Sequence, residues 1–125
     1  MTVELKGEAK DAQGARAGFY TLGPNSVNGR SHWLQDSGTN AIWYDKRNGK
    51  WKIGHQDDIS SSTAGIYTSE DVAGPQEATT WKYTSDDKWI ISDDILVDTF
   101  KSGMYVNRMK IMLLFLNTDM YFHLP

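Results

Sequence analysis

Hydrophobic and polar positions alternate with period two at the start of the chain, and short apolar segments bounded by turn residues follow up to about residue 100. Val3 and Leu5 alternate with Thr2, Glu4 and Lys6, which predicts a strand with one wet face. Gly18-Phe19-Tyr20-Thr21-Leu22 reads as a second strand and Ser31-His32-Trp33-Leu34-Gln35 as a third. Gly23-Pro24-Asn25-Ser26 and Asp36-Ser37-Gly38-Thr39-Asn40 separate them with turn chemistry. The small polar stretch 10–16, which contains Gly14, reads as a loop.

Residues 41–54 and 81–91 then repeat one arrangement at an offset of 38. Each has two Trp eight residues apart (Trp43 and Trp51, Trp81 and Trp89), Lys just before the second Trp, and Ile two residues after it. Both read as tight hairpins. Asn48-Gly49 is the strongest short turn signal, because both residues accept positive φ. A two-residue loop there is possible, and a three-residue loop (Arg47, Asn48, Gly49) is preferred. It places Trp43 opposite Ile53 and Asp45 opposite Trp51, sending Lys50 and Lys52 to water. The same register in the second copy pairs Trp81 with Ile91 and Tyr83 with Trp89, with Lys82 and Lys88 outside; a slip of one residue would exchange the faces. These expectations put Trp43, Trp51, Trp81 and Trp89 in the core, and leave Tyr44 and Trp33 as the aromatics expected at the surface.

Ala64-Gly65-Ile66-Tyr67-Thr68 predicts a short strand after a polar loop. The stretch 71–80, with Gly74-Pro75, has no clear pattern, and 95–100 reads as a last strand closing the sheet. Short strands at close spacing, with no convincing helix before residue 100, predict an all-β fold. The architecture expected is an antiparallel meander forming a small sandwich or partly open barrel. The style changes after Phe100. Four of the five Met lie between Met104 and Met120, and no Trp does. Residues 1–100 therefore read as the tryptophan-rich β module, and 101–125 as an apolar tail, helix or strand, that docks on the module or on a partner.

Charge and composition narrow the function. The 125-residue chain has a formal net charge of −3 and no basic stripe, so nucleic acid is not an expected partner. It has no Cys, which excludes disulfides, thiol catalysis and Cys-ligated zinc, and slightly favours a reducing, cytoplasmic setting. The N-terminus has no signal-peptide apolar core. The longest wholly apolar run, 111–116, is far short of the ~20 residues that span a bilayer.

Catalytic signals are weak. His32, His55 and His123 come from distant segments without ligand spacing. Asp57-Asp58, Asp86-Asp87 and Asp93-Asp94 lack the order of a calcium loop. Adjacent strand carboxylates point to opposite faces, so they read as solvated turn acids and not as an acid–base pair. The tract Ser60-Ser61-Ser62 lacks a nucleophile elbow. No enzyme activity, cofactor or metal is expected.

Val27-Asn28-Gly29-Arg30-Ser31-His32-Trp33, Ala41-Ile42-Trp43-Tyr44, Trp51-Lys52-Ile53-Gly54 and Trp81 together resemble the small tryptophan-rich β modules that recur in multidomain eukaryotic proteins. The likeness runs from Gly18-Phe19-Tyr20 to Val97. Those modules often carry Pro after Asn-Gly-Arg, where this chain has Ser31. The resemblance implies an accessory or recognition role and supplies no catalytic residues.

The function expected is a non-enzymatic binding module for a protein or glycan ligand, with Trp33, Tyr44, Arg30 and Asn28 as its contact residues. Asn28-Gly29 also reads as plain turn geometry, with Arg30 paired to a carboxylate. The alternative is a structural or oligomerising domain that uses the apolar tail as a homo-oligomer interface.

Overall fold

A computed structural model of the chain describes residues 1–99; the tail expected as helix or strand, 101–125, lies outside the described residues. Strands are β1 (Thr2–Leu5), β2 (Gly18–Leu22), β3 (Trp33–Gln35), β4 (Asn40–Asp45), β5 (Lys50–His55), β6 (Ile66–Thr68), β7 (Trp81–Ser85), β8 (Lys88–Ser92) and β9 (Ile95–Asp98). All pair antiparallel in one sheet, in the order β8-β7-β6-β5-β4-β3-β2-β1-β9. The chain is therefore a meander whose last strand returns to its first. Val3 faces Val97 and Leu5 faces Ile95 across that closing pair. Only Asp93 and Asp94 separate β8 from β9, yet these strands do not hydrogen-bond to each other. The sheet curls into a barrel with one unsealed seam. None of the described helices is long and apolar enough to cross a membrane.

The expected loop at 10–16 is instead a short helix, α1 (Gly7–Gln13), followed by a 3-10 turn, Gly14–Arg16. Its only buried positions are Ala9 and Gln13, four apart on one face, so it presents too little apolar pattern to stand out. Gly7 at φ +52 turns the chain into it. The helix packs on β7, where the Gln13 amide donates to the Thr84 carbonyl at 2.7 Å.

Inside the barrel one row of side chains runs across strands: Ile42, Ile53, Ile66, Tyr83 and Ile90 are successive cross-strand partners. Val3, Leu5, Tyr20, Tyr44, Trp51, Trp81, Ile95 and Val97 complete the core. Each buried indole removes roughly 150–250 Å² from water, worth about 4–6 kcal/mol at ~25 cal/mol per Å².

Both hairpin registers differ from the expected one. In the first, Asp45 pairs with Lys50, Tyr44 with Trp51 and Trp43 with Lys52. The loop has four residues and is built on the Asp45 carboxylate, which accepts from the Arg47 backbone N–H and from the Asn48 amide. In the second, Asp86 and Asp87 at φ +51 and +60 form a two-residue turn closed by Ser85 and Lys88, the primed geometry that follows strand twist. Trp81 then pairs with Ser92, and Thr84 with Trp89.

These registers invert the two copies. Trp51 and Trp81 point into the barrel, whereas Trp43 and Trp89 lie on its outer wall. Trp43 is nonetheless fully buried, because residues 56–65 fold over it; the space beside Gly54 is filled by the Trp43 ring and Ala64. Among the described residues Trp89 has no such cover and is 49% exposed, so its expected place in the core is corrected. Tyr44, expected at the surface, is buried against Trp51. Lys52, expected in water, is buried with its ammonium 2.6 Å from Asp45.

Candidate functional site

The Asn28-Gly29 pair makes a tight turn, with φ +54 and +78, and Val27 and Arg30 exchange both backbone hydrogen bonds across it. The Asn28 amide donates to the Tyr44 carbonyl at 2.7 Å, which ties the turn to β4. This connection lays Arg30 back over the barrel mouth. Its guanidinium carbon stands 3.7 Å from the centre of the Tyr44 ring, a cation–π contact. One guanidinium nitrogen donates to the Val72 carbonyl at 2.8 Å and the other lies 3.7 Å from the Asp71 carboxylate.

The Tyr44 hydroxyl also donates to Asp71, at 2.8 Å. That hydrogen bond, reinforced by burial, holds the phenol above its ordinary pKa. Trp51 Nε1 donates at 2.8 Å to the same Val72 carbonyl that Arg30 reaches. Two side chains from separate strands and loops thereby fix one backbone oxygen of the 69–80 connection. Trp33 leans on this assembly, its ring centroid 6.0 Å from that of Trp51 at an interplanar angle of 49°.

The four residues expected to bind ligand thus lie together around Trp51, but in different roles. Trp33 is half-buried and lines an open cleft of about 600 Å³. Arg30 lines the same cleft, with about a third of its side chain exposed. Tyr44 and Asn28 lie behind, one as the surface on which Arg30 rests and the other as the anchor of the turn. Ser31, Gln76 and Glu77 add hydroxyl, amide and carboxylate groups to the rim.

Gln76 and Glu77 sit in a 3-10 turn, Pro75–Glu77, within a stretch whose sequence has no clear pattern. Gly74-Pro75 was the one available signal, and it indicated a turn without indicating what the turn would face. Glu70 holds the same connection in shape, accepting from the backbone N–H groups of Thr79 and Thr80 at 2.7 Å each. Chiefly the Thr80 hydrogen bond, opposed by burial and helped by Thr79, keeps the Glu70 carboxyl below its ordinary pKa.

The other candidate chemistry remains dispersed. His55 Nδ1 accepts from the Asp57 backbone N–H at 3.1 Å, a local turn contact. His32 is buried where a side chain on Gly23 would otherwise be. Among the described residues no group of three or more His, Cys, Asp or Glu is placed to hold a metal ion. No protein-family model matches this chain, and no curated protein or solved structure matches it.

Proposed function

We propose that this protein is a non-catalytic recognition module that seats a sugar ring in the cleft at the barrel mouth. The observation that carries this reading is Trp33, a half-exposed indole in a cleft whose rim offers both donors and acceptors. An indole face favours the C–H face of a sugar, while Arg30, Ser31, Gln76 and Glu77 can pair with hydroxyl groups at its edge. The Tyr44–Arg30–Val72 clamp keeps that rim in place before ligand arrives, which lowers the ordering cost of binding.

Isothermal titration of the full chain against neutral oligosaccharides and a peptide pool tests this, with Trp33→Ala as the comparison. A saturable oligosaccharide response, weakened at least about tenfold in Trp33→Ala, is expected from the loss of one aromatic contact. Saturation by peptides alone makes the ligand a protein and overturns the glycan assignment. Binding that Trp33→Ala leaves untouched overturns the site.

A further inference from the structure

The outer wall of the barrel carries a second constellation, formed by Tyr67 on β6, Trp89 on β8, Lys50 on β5 and Lys82 on β7. Tyr67 pairs across the sheet with Lys52 on one side and Lys82 on the other. Trp89 stands edge-on to Tyr67, with ring centroids 4.6 Å apart. The Lys50 ammonium lies 4.5 Å from the Tyr67 ring centre and that of Lys82 lies 5.5 Å from it.

Neither cation makes an ion pair among the described residues. Lys50 sits directly across from Asp45, but that carboxylate is occupied by Lys52, Arg47 and Asn48. A chain with a net charge of −3 therefore brings two ammonium groups to one aromatic ring, neither of them paired with a carboxylate among the described residues. Lys50 lines a cleft of about 200 Å³, bordered also by Asn48, Ser62, Tyr67 and Trp89; Lys82 stands at the Tyr67 ring, outside that lining.

The geometry points to a second binding site here, for a sugar ring that bears a carboxylate. The half-exposed Trp89 supplies the stacking face, Lys50 in the cleft supplies a charge-assisted hydrogen bond to the carboxylate, and Lys82 at the Tyr67 ring adds positive charge nearby. The cleft is smaller than the ~300 Å³ at which pockets for larger ligands begin, so it suits one ring. An acidic peptide laid along the edge of β8 is less well served. Asp86-Asp87 and Asp93-Asp94 stand at the two ends of that strand and repel acidic flanks. This site does not depend on the barrel-mouth reading.

The test is titration of the full chain with a galacturonate oligomer and with its methyl ester, which keeps the ring and removes the charge. Nitrogen–proton correlation spectra report the Trp89 indole directly. The acid form is expected to shift the Trp89 signal and to bind at least about tenfold more tightly than the ester, the worth of a hydrogen bond to a charged group. Lys50→Met with Lys82→Met, both half-buried positions on the outer wall where the methionine keeps the packing on Tyr67, should remove that preference, and added salt should weaken it. Trp33→Ala should leave it unchanged, and the lysine pair should not affect neutral ligands at the mouth. Equal binding of acid and ester, or galacturonate binding indifferent to both the lysine pair and Trp89→Ala, overturns the proposal.

Discussion

Lys52 donates to the Asp45 carboxylate at 2.6 Å on the outer wall of the barrel, with both side chains almost wholly buried. The chain segment 56–65 covers the pair, and the Ser62 carbonyl accepts a second bond from the same ammonium at 3.3 Å. Arg47 and Asn48 fill the remaining carboxylate sites. Removing one partner leaves the other charged and buried, which costs about 3–5 kcal/mol. Lys52→Met should therefore lower the urea midpoint sharply. Asp45→Asn combined with Lys52→Met should recover part of that loss, because no uncompensated charge remains.

The same carboxylate predicts how the protein responds to acid. Burial alone would raise the Asp45 pKa, but Lys52, by hydrogen bond and charge, and then Arg47 bring it below its ordinary value. Glu70 is also lowered. A carboxyl group with a depressed folded pKa stabilises the fold fully above its unfolded pKa, near pH 4. That contribution disappears as pH falls through the lower, folded value. Urea midpoints should be flat with respect to these groups from pH 7 to about pH 5 and should fall below about pH 4. Glu70→Gln and Asp45→Asn should each make the acid decline shallower.

The elements of this fold were legible where only one face of a strand is covered. Ile95–Asp98 alternates as a half-wet strand should, Thr2–Leu5 nearly does, and these two and Gly18–Leu22 lie where the sequence pattern puts strands. β4 defeated the same logic because all six of its residues are buried. Its inner face meets the core and its outer face meets the 56–65 segment, so period two carries no information about which way Trp43 points. A three-residue loop puts Trp43 and Trp89 inside and Tyr44 outside, whereas the longer first loop and the Asp86-Asp87 turn exchange those faces while Lys50, Lys52 and Lys82 face outward in either register. The Asp86-Asp87 turn compounded the difference, since Asp-Asp without Gly is a weaker hairpin-turn signal than Asn-Gly or Asp-Gly. Aromatic content and the Asn-Gly turn pointed to Arg30 and Trp33, which do line the cleft at the barrel mouth. The carbonyl of Val72, which holds Arg30 and Trp51, leaves no side-chain signal to read.

That Asp86-Asp87 turn is itself a point of strain. Both residues lie in the left-handed region, where a side chain costs up to about 1–2 kcal/mol and Asp less than most residues. Asp87→Gly relieves the steric cost and gives back part of it as chain entropy. The variant should be more stable by about 0.5–1 kcal/mol in urea unfolding. No change, or a loss, would mean that the Asp87 side chain makes a compensating contribution.

Arg30 links the Asn28-Gly29 turn to the 69–80 connection, so its loss should act on both. Arg30→Ala removes the Tyr44 contact and the hydrogen bond to Val72. Lysine keeps the charge but lacks the planar fork that can lie on the ring and reach the carbonyl together. Amide hydrogen exchange should accelerate at residues 27–30 and 71–77 in both variants, and more in Arg30→Ala, while β1 and β9 stay protected. Exchange confined to the 27–30 turn would show that Trp51 alone is enough to hold Val72.

Gly54 is the point at which the outer cover meets the sheet. A methyl group there would stand 3.2 Å from the Ala64 Cα and 3.2 Å from the end of the Trp43 ring. One of those neighbours is backbone and the other is a fully buried indole, so neither can move aside at little cost. Gly54→Ala should destabilise the protein by about 1–3 kcal/mol, the usual cost of overpacking. The particular expectation is that the 56–65 segment lifts, which wets Trp43 and the Asp45–Lys52 pair beneath it. Acrylamide quenching should then rise in Gly54→Ala relative to the parent, and the increase should vanish when Trp43 is replaced by Phe in both backgrounds. If quenching rises equally without Trp43, the strain has been released elsewhere, and the 56–65 segment is not the cover on which the outer wall depends.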